Sequence, residues 1–319
     1  MVTLPFSPIA LGTWTFAGDS IWLESNDKES ISVIHAALDM GITLFDTSPN
    51  YGNGRSETIL GKAVKGRSNA TIATKIKIND KSPADLRRYI EKSLKRLNRE
   101  TIDLMQIHWP GNSSEETLEA LDLFVTMKKE GKILNIGACN FGIFDLEETK
   151  NFPIISNQLP YSLMWRLIEE QIAPLSKAQG KVVWIYSPLQ QGLLSGRYSN
   201  IEDFPEGHMR TRHFSSTRTA ANHGESGMEN ETQSTLKSFL TIASETNIPP
   251  LELGLRYIQS KSFIDTILIG ARSIKQIEEI VLSLNGPLDK EIIELLNKGS
   301  GNLLAAADRN PDMYQSRVR

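Results

Sequence analysis

Cysteine is almost missing from this sequence: among 319 residues only Cys139 carries a thiol. That excludes an intramolecular disulfide and a thiolate metal cluster, and it suits a reducing compartment. No apolar run approaches the roughly 20 residues needed to cross a bilayer. The first residues, Met-Val-Thr-Leu-Pro-Phe, have neither the basic start nor the apolar stretch of a secretion signal. Neither sign of charge is in excess, because 35 Lys and Arg stand against 38 Asp and Glu, a formal net charge of −3. Such a balance gives no reason to expect a nucleic acid or a membrane surface as partner. The expectation is a cytoplasmic protein acting on a small molecule, with ample length for a buried core.

What is present is a repeating alternation. Short β-branched or apolar runs at 8–14, 43–47, 70–76, 103–108, 135–140, 154–159, 182–187 and 265–270 read as strands. Helical stretches lie between them, at 28–40, 83–97, 115–130, 167–179, 234–246, 250–260 and 274–284. In the first, Ile31, Ile34, Ala37 and Leu38 recur at helical spacing, and Gly41 supplies a stop. The second opens Ser82-Pro83, a cap followed by a first-turn proline. The third carries early acids and late lysines before Gly131, as the helix dipole favours. Strands separated by helices pair in parallel, and eight such units close most naturally into an α/β (β/α)8 TIM barrel. A single domain over residues 1–319 is therefore expected. A long polar stretch, 190–233, follows the seventh strand, and 288–299 reads as an extra helix before a polar tail.

In such barrels the chemistry gathers where strands end and the following loops begin. Those positions hold Asp46, Lys75 and His108, with Tyr51 on a Pro/Asn/Gly turn beside Asp46. Alone, a strand-end lysine is ordinarily a structural ion pair and a histidine an ordinary polar residue. Four complementary groups on three adjacent strand ends make a different case. A phenol is protonated but a reluctant donor at neutral pH, and a nearby ammonium lowers its pKa by about one to three pH units. A buried lysine stays charged only if a carboxylate such as Asp46 holds it so. His108 can orient a substrate carbonyl or share a proton with Tyr51. The group can protonate a carbonyl oxygen, but it reduces nothing without a source of hydride. No metal-ligand cluster is apparent.

These residues sit in motifs that resemble the aldo-keto reductase superfamily over nearly the whole chain. The matching stretches are "LGTW" 11–14, "FDTSPNYGNGRSE" 45–57, "ATKI" 73–76, "DLMQIHWP" 103–110, "IGACNF" 136–141, "SNQLPYSLMWR" 156–166, "YSPLQQGLLSG" 186–196 and "LIGARS" 268–273. The bacterial-type branch, near the channel β-subunit-like members, is the most similar. The resemblance implies a catalytic tetrad of Asp46, Tyr51, Lys75 and His108, with Tyr51 as general acid. It also implies a nicotinamide cofactor, NADPH rather than NADH, bound without a Rossmann domain. On the matched motifs, Asn140 and Gln158 would hydrogen-bond the nicotinamide carboxamide, and Tyr186 would stack beneath the ring. Ser187, Leu189 and Gln191 would contact the pyrophosphate side. Gly270 and Arg272 lead into a helix N-terminus suited to phosphate, Arg272 facing a 2′-phosphate and Gln276 and Glu279 facing the adenosine. Where many members carry a serine, this chain has Cys139, expected here as a small core residue.

Trp14, Trp22 and Trp109 are candidate walls of a substrate pocket, since apolar walls around a few polar groups are normal for small-ligand sites. The function expected is reversible reduction of an aldehyde or ketone to an alcohol. The competing reading is a cofactor-sensing binding subunit with little turnover.

Overall fold

The structure, a computed structural model, describes residues 7–19, 21–22 and 26–315. Eight strands, β1 (Ile9–Gly12), β2 (Leu44–Asp46), β3 (Thr71–Ile76), β4 (Ile102–Ile107), β5 (Ile133–Cys139), β6 (Ile154–Pro160), β7 (Val182–Tyr186) and β8 (Thr266–Ile269), close into a barrel in chain order. Strand β1 pairs in parallel with both β2 and β8. This is the (β/α)8 architecture expected. The strands are almost wholly buried, β2 and β8 at every residue, as strands flanked by helices must be.

The helices follow from local signals. Helix α1 (Asp27–Asp39) is capped by Asn26, whose side chain accepts from the Lys28 N–H. It is followed by α2 (Arg55–Ala63). Helix α3 (Pro83–Leu97) begins where the Ser82 hydroxyl accepts from the Asp85 N–H and stops at left-handed Asn98. Helix α4 (Ser114–Lys129) is capped in the same way by Ser113, and α5 (Ile143–Glu148) follows. Then come α6 (Ile172–Ala178), α7 (Glu229–Thr246), α8 (Pro250–Gln259), α9 (Ile274–Ser283), α10 (Lys290–Gly299) and α11 (Gly301–Ala306).

Two differences from the sequence reading have physical causes. A helix over 167–179 is cut to α6, because Pro174 has no N–H to give residue 170 and its ring would clash there. The helix therefore starts at Ile172, with the proline in its first turn. Helix α2 is too short and polar to show a period, and it forms by burying Ile59, Leu60 and Ala63. Among the described residues, no helix is long and apolar enough to cross a membrane.

The chain packs as two compact units, one of residues 1–158, 175–184 and 265–278, the other of 159–174, 185–264 and 279–319. The second contains the long stretch 190–233, which is short 3-10 turns built around buried side chains. Buried Arg212 donates to the carbonyl oxygens of Asn310 and Asp312 at 2.9 and 3.0 Å and pairs with Glu225. Beside it His213 sends Nε2 to the Met164 carbonyl at 3.0 Å. A carbonyl only accepts, so Nε2 holds the proton and Nδ1 accepts from Thr211 Oγ1 at 3.0 Å and Gln190 Nε2 at 3.2 Å. Burial, with Arg212 and His223 adding to it, holds the His213 pKa down to about 4.

That depression gives stability a defined pH dependence. Unfolded His213 takes a proton below about pH 6.5, while the folded residue does so only near 4. Its contribution is complete above 6.5 and is lost as the pH falls toward 4, roughly 3 kcal/mol in all. The urea midpoint of the native protein should fall over this window more steeply than that of His213→Gln. Parallel curves for the two proteins would contradict the assignment.

Candidate active site

The turn that carries Tyr51 is held by backbone contacts that only its sequence permits. Gly52 has φ +57°, and a Cβ there would lie 2.1 Å from the Ala17 carbonyl oxygen, so the position requires glycine. Behind the turn, Ser56 Oγ donates to the Thr13 carbonyl at 2.8 Å and lies 3.0 Å from Thr47 Oγ1. Three buried hydroxyl residues thus tie the start of α2 to the ends of β1 and β2. Further along α2, Glu57 is fully buried, accepting from Thr74 Oγ1 and from Arg96 Nε, both at 2.7 Å. Helix α2 is thereby fastened to β3 beside Lys75 and to α3.

Asp46, Tyr51, Lys75 and His108 come together at the strand ends. The Lys75 ammonium donates to Asp46 Oδ1 and to the Thr47 carbonyl at 3.1 Å. Asp46 Oδ2 accepts from Gln106 Nε2 at 3.1 Å and from Gln158 Nε2 at 3.0 Å. The carboxylate is therefore met by an ammonium and two amides. Burial opposes the Lys75 charge, but Asp46 and Tyr51 outweigh it and the pKa is raised. The ammonium lies 5.1 Å from the Tyr51 ring centroid.

The electrostatics correct one expectation. Tyr51 is not acidified: its pKa is pushed up to about 12, because burial, reinforced by Asp46, outweighs the opposing pull of Lys75. His108 is held well below its ordinary value by burial and by the Lys75 and Lys77 charges. At neutral pH the site thus contains a protonated phenol and an uncharged imidazole. Burial also pushes the Cys139 thiol up; it contacts Gln106 Oε1 at 3.6 Å and is a core residue.

Aromatic rings wall this cluster. Trp14 stacks on Tyr51 at 5.7 Å, Trp22 meets Trp14 edge-on at 5.6 Å, and Trp109 stacks on His108 at 4.2 Å. Asn140, in the left-handed region at φ +60°, donates from Nδ2 to the His108 carbonyl at 3.0 Å. Gln158, with Nε2 committed to Asp46, has Oε1 to offer as an acceptor.

At β8 the backbone of Gly270 packs close to Thr15, where a Cβ would lie 3.3 Å from the Thr15 methyl. Arg272 and Gln276 line a cavity of about 220 Å³ with Thr15, Phe16, Asn26, Glu29 and Ser30. Gln276 Oε1 accepts from the Arg272 N–H at 2.7 Å. Glu279 is exposed on the next turn of α9.

In the second unit, Tyr186 stacks on Tyr314 with centroids 6.4 Å apart. After it, Ser187, Gln190 and Gln191 all adopt positive φ, at 56°, 49° and 55°. Each such non-glycine residue costs on the order of 1 kcal/mol or more, a strain that concentrates at ligand-holding segments. Half-buried Leu189 lies within this run, and Gln191 Oε1 is buried without a hydrogen-bond partner. Among the described residues no three His, Cys, Asp or Glu side chains gather as a metal ion would need.

Gln106 is the site residue that the sequence reading missed. It lies beside Lys75 in the β3–β4 register and two residues before His108, so its side chain has the same parity as the histidine. An amide at that parity, two residues before the histidine, was the available signal.

Comparison with known proteins identifies the family. A family model described as "Aldo/keto reductase family" matches residues 8–299. The aldo-keto reductase YhdN of Bacillus subtilis is 39% identical over 205 residues, 60% of this chain and 61% of that protein. The NADH-specific methylglyoxal reductase of Escherichia coli is 30% identical over 308 residues, 88% of this chain and 91% of that one. A solved glycerol dehydrogenase from Gluconobacter oxydans superposes with a TM-score of 0.76 at 29% identity, covering 99% of this chain and 97% of that chain. The chain belongs to the aldo/keto reductase family of oxidoreductases.

The raised Tyr51 pKa has a direct optical test. The difference in tyrosinate absorbance between the native protein and Tyr51→Phe should stay flat through pH 10 and grow only near pH 12. A difference band already complete at pH 10 would show an acidified phenol instead.

Proposed function

We propose that the chain, working as one domain over residues 1–319, reversibly reduces an aldehyde or ketone to an alcohol with NADPH, Tyr51 being the general acid. The observation that carries this reading is the Asp46–Lys75 pair set against a half-buried, protonated Tyr51. A reduced nicotinamide, when bound, supplies the hydride.

Tyr51 holds the proton at its hydroxyl. A raised pKa suits that role, because an alkoxide oxygen is a far stronger base than a phenolate and still takes the proton. Lys75 keeps a positive charge beside the phenolate that donation leaves behind, and Asp46 keeps Lys75 charged. The tryptophans and His108 exclude water from the reacting carbonyl, which strengthens each of these interactions.

Several features fit a dinucleotide. Gln158 Oε1, free of the Asp46 contact that engages Nε2, and Asn140 would hold the carboxamide, and Tyr186 would offer a ring face. The strained run through Ser187, Leu189 and Gln191, with the orphaned Gln191 Oε1, has the character of a segment held for a ligand. Gly270 allows close backbone approach, and Arg272 forks naturally onto a phosphate, with Gln276 and Glu279 toward the adenosine. Support for NADPH comes from two solved Klebsiella pneumoniae aldo-keto reductases of the same fold, bound to NADPH and to NADP. Glu29 lines the Arg272 cavity too, and the methylglyoxal reductase relative is NADH-specific, so discrimination against NADH rests on Arg272 itself.

Two variants test the reading. Tyr51→Phe should bind NADPH normally and lose about 10²- to 10⁴-fold in turnover of a reactive aldehyde. Full turnover followed by NADPH absorbance would remove Tyr51 as the acid. Arg272→Ala should weaken NADPH by about 10- to 100-fold while leaving NADH nearly unchanged. Equal losses in a fluorescence titration would disprove the 2′-phosphate role.

A further inference from the structure

We propose that residues 308–314 form a strap that keeps the strained run after β7 in shape. Buried Arg212 anchors the strap and is thereby a positioning residue for the ligand that the run holds. That this ligand is a dinucleotide rests on the reading above.

The strap is neither helix nor strand, yet its backbone is engaged throughout. Its sequence, "DRNPDMY", has Asp or Asn at 308, 310 and 312. Each of these side chains accepts from the backbone N–H two residues on, at 2.9 Å for Asn310, 3.0 Å for Asp312 and 2.8 Å for Tyr314. That uses the donors and leaves the carbonyls to be met from elsewhere. Two residues meet them. Arg212 donates from Nη1 to the Asn310 and Asp312 carbonyls and from its backbone N–H to the Met313 carbonyl at 2.9 Å. Trp165 Nε1 donates to the Pro311 carbonyl at 2.8 Å. The rest of the guanidinium pairs with Glu225 at 2.7 Å and with Asp308 at 2.5 Å. Carbonyls 310 to 313 therefore all depend on Arg212 and Trp165.

Side chains of the strap reach the strained run. Met313 is fully buried, and its sulfur accepts from Gln190 Nε2 at 3.2 Å. The same amide donates to Nδ1 of His213, the neighbour of Arg212, and Gln190 Oε1 accepts from Ser162 Oγ at 3.2 Å. Gln190 is one of the residues at positive φ. A backbone that relaxed out of the left-handed region would withdraw this side chain from all three partners, so these contacts hold the strain. Tyr314 lays its ring within 11° of parallel to Tyr186, and the Arg210 guanidinium lies 4.8 Å from the Tyr314 ring centroid. The strap thus touches both the run and the strand end that leads into it. A run already in shape demands no ordering when a ligand arrives. Loosening the strap should free the run and weaken any ligand that depends on it.

The test compares full-length Arg212→Gln with the native protein. Hydrogen exchange without ligand follows the Gly192 and Leu194 N–H groups, both of which donate to the Leu189 carbonyl. They should exchange about tenfold faster in the variant, while Thr47, in the β2–β3 ladder, is unmoved. Fluorescence titration should find NADPH weakened by about 10- to 100-fold. Adenosine 2′,5′-bisphosphate, which carries only the end assigned to Arg272, should bind as before. A residue that merely stabilised the fold would speed Thr47 as well and weaken both ligands alike. Either of those results overturns the proposal, as does an unchanged rate at Gly192 and Leu194. A native protein that binds neither ligand removes the dinucleotide reading, and exchange alone then decides the strap. If Arg212→Gln fails to fold, Asp308→Ala decides, because it opens the strap at an exposed residue and leaves Arg212 paired with Glu225. Faster exchange at Gly192 and Leu194 is expected there too, and its absence overturns the proposal.

Discussion

A lysine ammonium almost wholly removed from water survives only if something replaces that water, and in this barrel Asp46 does so. The pair is buried on both sides, side-chain exposure being 2% for Lys75 and 3% for Asp46. A bare ion pair in such a place is no guarantee of stability, because desolvation can exceed the attraction. Here the remaining oxygen of Asp46 is met by two amides and the ammonium by a second acceptor. The site's electrostatics follow from that arrangement. Lys75 stays cationic, His108 stays neutral beside it, and Tyr51 keeps its proton.

The pair also explains why so much of the surrounding structure is polar yet rigid. Asp46 closes β2 and Lys75 lies near the end of β3, so their separation is set by the barrel ladder. Tyr51 has no such support of its own, being on a turn. Its place depends on Gly52 against Ala17, on the Thr13, Thr47 and Ser56 hydroxyls, and on Glu57 reaching Thr74 and Arg96. Removing any one of these would leave the four side chains present but displaced from one another, which matters for the proposed chemistry because such geometry tolerates little displacement.

Much of this was legible beforehand, for identifiable reasons. Parallel strands buried on both faces leave dense apolar runs, and caps such as Ser82-Pro83 mark a helix start to the residue. The four residues that cluster at the strand ends could be picked out because polar residues there stand out against those runs. Gln106 was not seen, since its partner is 60 residues away and its parity with His108 was the one local mark of it. Helix α2 was hidden for a similar reason, because its stability comes from packing and not from its nine residues alone. The sign of the Tyr51 shift was misjudged. Lysine proximity can be inferred from spacing, but the degree of burial, which dominates, belongs to the folded state. Residues 190–233 looked like an open loop because buried Arg212 and His213 are polar letters whose partners, Asn310, Asp312 and Met164, are distant in sequence.

Asp46 keeps Lys75 charged inside the barrel, and the lysine nitrogen reports this directly. In ¹⁵N-lysine-labelled protein, the Lys75 Nζ resonance should retain the shift of an ammonium at pH 11, above the ordinary lysine value of 10.5. A Lys75 resonance that has moved to the neutral-amine position by pH 9 would contradict the account at its root.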